Sequence, residues 1–262
     1  NRMSQGFDLK GSYYSYINKD TIPSVFIHGV GLDHKMWKPQ INSFNEFSTI
    51  TYDLLGHGRT ELKNHEVTLN DFSTQLKSLI DFLYLDKINL IGFSLGSLIA
   101  IDFASKYKEY LNTLTLIGTT YQRTEDQRLK VLDRFKQAKL NKPISRQALK
   151  RWFSDRYLTE NPDVYNEFMS ILNKNPKEHN NFLKAYKLFA NHKDDIESIK
   201  KIDAQTLIMT GSDDPGSTGA MSKSLAKDLV NSKFVEVKNG KHLCSIECAD
   251  DVNIALKNFI YN

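Results

Sequence analysis

Cysteine is scarce: the 262-residue chain has two, Cys244 and Cys248. Four residues apart, they are poorly spaced for a disulfide and too few for a metal site, which usually takes three or four ligands. Two reduced thiols fit a cytoplasmic protein, and that location is the expectation. Long hydrophobic runs are also missing. None reaches the roughly 18–20 residues of a membrane span, so no membrane partner is expected. The N-terminus lacks a basic stretch followed by an apolar one, and so shows no intact secretion signal; the chain opens on Asn1, which leaves room for a removed upstream segment. Charge of one sign is barely in excess, 35 Lys+Arg against 31 Asp+Glu for a net +4. The surplus is scattered, with no basic block, so nucleic acid is not an expected partner. No repeat or low-complexity tract appears. A chain this long buries roughly three quarters of its unfolded surface and needs no disulfide or metal staple.

What is present is a rhythm of short apolar runs and longer amphipathic ones. Strands are predicted at 24–29 (SVFIHG), 48–53, 87–93 and 111–118, and again at 204–211 and 233–238. Helices are predicted at 36–44, 68–85, 94–107, 218–230 and 250–262; in the second, Leu69, Phe72, Leu76, Leu79, Ile80 and Leu83 recur at three- and four-residue steps. Such alternation predicts an α/β fold with a mostly parallel central sheet covered by helices on both faces. Residues 122–200 break the rhythm. They are highly charged, carry no convincing strand, and hold Phe135, Trp152, Phe153, Tyr157, Tyr165, Phe168, Phe182, Tyr186 and Phe189. They read as a helical cap inserted into a core of 1–121 and 201–262, at the carboxyl end of the sheet, where ligands bind in such folds. Most of these aromatics are expected to form the cap's own small core.

The chemistry gathers at Gly92-Phe93-Ser94-Leu95-Gly96, between an apolar strand and an amphipathic helix. Gly-x-Ser-x-Gly in that context is a nucleophile elbow, with free N–H groups and a positive dipole end beside the serine. A serine hydroxyl needs a base and an orienting carboxylate. Of the seven histidines, His242 alone follows the resumed strands, in a loop after 233–238. The acid is expected after 204–211, where both Asp213 and Asp214 qualify; Pro215 biases Asp214 toward an extended backbone, and Asp214 is preferred. Two oxyanion donors are expected, Leu95 N–H and Val30 N–H from the loop His28–Asp33. His28 itself reads as a brace for that loop.

The segments HGVG (28–31), DLLGHGRT (53–60), GFSLG (92–96), TGSDDP (210–215) and GKHL (240–243), in this order, resemble the α/β-hydrolase fold along essentially the whole chain. Within it, HGVGLDHKMW, GTTYQRTEDQR and GKHLCSIE are similar to the 3-oxoadipate enol-lactonase-like branch, which hydrolyses small carboxylic enol-lactones and esters. The resemblance implies Ser94 as nucleophile, Asp214 as acid, His242 as base, Val30 and Leu95 as oxyanion donors, and no metal or organic cofactor. Ser97 departs from it, since many relatives carry a second glycine after Gly96; packing behind the elbow is expected to change slightly. The expected partner is a small ester or lactone. Trp37, Phe93, Tyr121 and Trp152 are the expected pocket aromatics; Arg151 or Arg156 is a candidate for a substrate carboxylate, but a solvated charge on the inserted helices is the expected role for either. Rival readings are a carbon–carbon bond hydrolase of ring-cleavage products, a cofactor-free haloperoxidase, and a small-ligand receptor that keeps the triad. A serine at the elbow argues against haloalkane dehalogenase and epoxide hydrolase chemistry, which in this fold uses aspartate there.

Overall fold

The computed structural model describes residues 2–140 and 144–262; Asn1, and residues 141–143 of the expected insertion, lie outside it. Eight strands form one sheet: β1 (Arg2–Phe7), β2 (Tyr13–Asn18), β3 (Ser24–Ile27), β4 (Thr49–Tyr52), β5 (Ile88–Phe93), β6 (Leu111–Ile117), β7 (Thr206–Gly211) and β8 (Ser232–Val237). Their spatial order is β1-β2-β4-β3-β5-β6-β7-β8. β1 pairs antiparallel with β2, and β2 with β4; every later pairing is parallel. β3, β4, β5 and β7 are buried along their whole length, as strands covered on both faces must be. The β1–β2 hairpin was not among the expected elements. β1 is exposed at nearly every position, so its sequence lacks the buried alternation that marks a strand.

The helices are α1 (Lys38–Ser43), α2 (Leu69–Phe82), α3 (Leu95–Lys106), α4 (Glu125–Lys139), α5 (Ser145–Trp152), α6 (Asp155–Glu160), α7 (Pro162–Leu172), α8 (Pro176–Asn191), α9 (Ile196–Lys200), α10 (Gly219–Asp228), α11 (Cys244–Glu247) and α12 (Ala249–Tyr261), with a 3₁₀ turn at His34–Trp37 preceding α1. Their starts are written in the sequence. Thr68, Thr124 and Asn175 each close a reciprocal capping box with the third residue of α2, α4 and α8. α4 to α9 fall between β6 and β7. α4 and α8 share a small core of Val131, Ala138, Phe182, Tyr186 and Ala190, while Phe153 and Phe168 join the main core under Trp37 and Phe26. No helix among the described residues is long and apolar enough to cross a membrane.

Candidate active site

The central turn is dictated by steric contact. Ser94 sits at φ 55°, ψ −114°, outside the regions an L-residue prefers, between the end of β5 and the start of α3. A Cβ on Gly92 would strike Gly96 O, and one on Gly96 would strike Ile27 O, so only glycine lets α3 run this close to β5 and β3. Ser97 Oγ donates to Ser94 O at 2.5 Å. The residue that departs from the family pattern therefore braces the turn from behind. Leu95 opens α3, where no helical carbonyl can reach its N–H, and its side chain packs into the main core.

His242 Nδ1 lies 2.7 Å from Asp214 Oδ2. Asp214 is buried after β7, and its Oδ1 accepts from Gly216 N at 3.1 Å and Ser217 N at 2.9 Å, which fixes the carboxylate plane. Asp213 is exposed and meets nothing at His242 with its side chain; its N–H is engaged by Gly240 O at 2.8 Å. The His242 ring packs on Phe93 with centroids 4.7 Å apart and fits over Gly118, whose positive φ and missing side chain leave it room. The loop carrying His242 is docked on the end of α5: His242 N donates to Arg151 O at 3.4 Å, Leu243 N to Trp152 O at 3.0 Å and Lys241 Nζ to Lys150 O at 2.5 Å.

The loop after β3 is organised by His28, which is fully buried. Leu54 N–H donates to its Nε2 at 3.0 Å, so the ring proton is on Nδ1, which donates to Gly29 O at 2.8 Å. Burial lowers the His28 pKa and keeps the ring neutral. Because a trans peptide points its C=O and N–H in opposite directions, holding Gly29 O turns Val30 N–H the other way. Among the described residues that N–H has no protein acceptor.

Ser94, His242, Asp214 and Val30 all border one cavity of about 100 Å³. Of the four expected aromatics, Phe93 and Trp152 line it. Trp37 and Tyr121 do not. Trp37 is packed against Phe26 in the core at a centroid distance of 5.0 Å, and Tyr121 turns away to hydrogen-bond Asp228 at 2.5 Å. Apolar side chains suited to a buried cluster were drawn into it rather than to the cavity. Arg156 also lies elsewhere, exposed and paired with Glu160 at 3.0 Å. In their place the inserted helices bring Val131, Arg134, Arg151, Phe182, Tyr186 and Phe189 to the wall. Arg134 Nε donates to Tyr186 Oη at 3.4 Å. Burial, and then repulsion from Arg134, push the Arg151 pKa down to about 10, which leaves it charged at neutral pH. Neither arginine pairs with a carboxylate among the described residues. Nothing in the sequence separates Arg134 from the solvated charges beside it; only the three-to-four-residue step Val131, Arg134, Ala138 marks that face of α4.

A sequence model of the α/β-hydrolase fold matches residues 24–248, and the chain belongs to that family. Among curated relatives it is 27% identical to the (E)-2-((N-methylformamido)methylene)succinate hydrolase of Acinetobacter baylyi, over 91% of this chain and 90% of that one. It is 23% identical to 3-oxoadipate enol-lactonase 2 of the same organism, over 95% of this chain and 92% of that one. Among solved structures, the enol-lactonase from Burkholderia xenovorans superposes with a TM-score of 0.87 at 20% identity, covering 99% of this chain and all of that one.

Proposed function

We propose that the protein is a serine hydrolase of a small ester or enol-lactone that carries a carboxylate away from the scissile carbonyl. The observation that carries the reading is the short His242–Asp214 hydrogen bond beside Ser94, on a strained turn that opens into the same cavity. In this mechanism His242 Nε2 takes the Ser94 proton as Oγ attacks the carbonyl, and Asp214 holds the imidazole tautomer and stabilises the imidazolium. Val30 and Leu95 N–H groups receive the oxyanion. His242 then protonates the leaving oxygen, and water attacks the acyl-enzyme with the same base. The inserted helices serve as a cap, and their two unpaired arginines supply the positive end of an otherwise largely apolar cavity. The names of two relatives, one carrying succinate and the other oxoadipate, agree with an anionic substrate.

Hydrolysis of p-nitrophenyl acetate and p-nitrophenyl hemisuccinate, by wild type and by Ser94→Ala, tests this. Multiple turnover lost in the variant, with kcat/KM at least tenfold higher for the hemisuccinate, is the expected result. A preference for the neutral ester removes the anionic substrate. The absence of any Ser94-dependent turnover by folded protein removes the hydrolase reading and favours a receptor.

A further inference from the structure

The turn between α7 and α8 sends one lysine inward. Lys174 Nζ donates to Gly31 O at 2.9 Å and to Ile171 O at 3.1 Å, and lies 6.0 Å from the Phe182 ring centroid. Other lysines of this region meet the core at its surface: Lys177 pairs with Glu61 and Lys187 with Glu66 from exposed positions, where such pairs contribute little. Lys174 differs. Among the described residues no carboxylate pairs with it, and burial lowers its pKa, opposed by the more distant Glu178 and Asp33. Lys174 is half-buried, and holding an ammonium partly out of water against two carbonyls costs free energy unless the arrangement brings a compensating interaction.

The carbonyl it holds lies at the head of a chain. Gly31 O shares a peptide group with Leu32 N–H, and Leu32 N–H donates to Gly29 O at 3.3 Å. Gly29 O in turn shares a peptide group with the N–H of Val30, a residue that borders the cavity. From Lys174 the order is therefore ammonium, peptide, hydrogen bond, peptide, free N–H. Each link polarises the next in the same sense, drawing electron density toward the cation and leaving Val30 N–H more positive. His28 fixes the same Gly29 carbonyl from its other side. Gly31 adopts φ 78°, and a Cβ there would press the Phe182 ring at 3.0 Å, so loop and α8 are fitted together at this point.

We propose that Lys174 is a positioning residue, which orders and polarises the Val30 N–H through this two-peptide relay. The proposal rests on the hydrolase reading for its consequence, since an ordered N–H at that place matters for an oxyanion. Two readouts test it separately in Lys174→Met and Lys174→Arg, the second retaining charge and donors. Exchange of the Leu32 amide, the middle link, needs no substrate. It is expected to quicken at least tenfold in Lys174→Met, with the strands β3 and β5 unchanged, and to return near wild type in Lys174→Arg. Turnover of p-nitrophenyl acetate, which has no carboxylate to offer the arginines, is expected to lose about tenfold in kcat in Lys174→Met with KM nearly constant, a smaller loss than the ~10²–10³ for deleting a donor outright. Unchanged Leu32 exchange overturns the relay, as does a loss carried by KM alone. Equal turnover by wild type and Ser94→Ala instead strikes the hydrolase reading, and the exchange result then decides on Lys174 by itself.

Discussion

At the scale of single residues, the assignment makes distinct demands on neighbouring positions. Ser94→Ala is expected to lower kcat by on the order of 10⁶ with the fold intact. Asp214→Asn should cost about 10⁴ by favouring the wrong imidazole tautomer, while Asp213→Asn should be nearly silent, because its carboxylate is in solvent. Steady-state kinetics of the two variants side by side checks the pair. Arg151→Met is expected to raise KM for the hemisuccinate about 10- to 100-fold, the equivalent of one charged hydrogen bond, and to leave the acetate alone. A parallel loss on both esters would make Arg151 a structural residue. The meeting of Ser94 and His242 at one cavity was legible. Strand, turn and helix context singles out Ser94, and chain order singles out His242. The pocket wall was not legible, because an arginine or aromatic on a helix looks the same whether its face meets a cavity, a core or water. Trp37 and Trp152 are alike in the sequence, yet Trp37 lies in the core and Trp152 on the cavity.

At the scale of elements, the unexpected feature is how the inserted helices meet the core. α5 has only eight residues, too few to hold its shape alone. Its end is secured by the His242 loop and by Glu247, which accepts from Ser154 N at 2.8 Å and Ser154 Oγ at 2.7 Å. The same serine caps α6 by accepting from Tyr157 N at 3.1 Å. Glu247→Ala is therefore expected to cost about 1–2 kcal/mol in stability, measured by denaturant unfolding. It should also lower kcat several-fold through the displaced His242 loop. Retained kcat in the destabilised variant would separate α5 from the base. The break in the strand rhythm marks 122–200 as a helical stretch, and α4 to α9 lie there between β6 and β7, but this docking is not legible: main-chain carbonyls at a helix end carry no residue signature. The edge strand β1 was missed for a related reason, since a strand exposed on both faces shows no pattern of burial.

At the scale of the whole molecule, the buried histidines make stability depend on pH. Burial holds the His57 pKa down at about 3, well below its ordinary value of about 6.5 in an unfolded chain. Between those values the unfolded state binds a proton that the folded state does not, so stability is complete above pH 6.5 and falls as pH drops toward 3. The slope for one such proton is at most about 1.4 kcal/mol per pH unit. His28, lowered in the same direction by burial, adds to it. His57→Gln should flatten the profile of unfolding free energy between pH 6.5 and 4; an unchanged slope would leave the acid sensitivity to the carboxylates. The fold itself was legible at this scale because alternating buried strands and amphipathic helices leave few topologies open.

The central claim is that Ser94 forms and releases an acyl group. Rapid-quench mass spectrometry of p-nitrophenyl hemisuccinate turnover reads this directly. The account predicts a succinyl mass on the peptide carrying Ser94 within the first turnover, its disappearance as substrate is exhausted, and no such adduct in Ser94→Ala. Steady multiple turnover with Ser94 never modified, or an adduct that forms once and is not released, would contradict it.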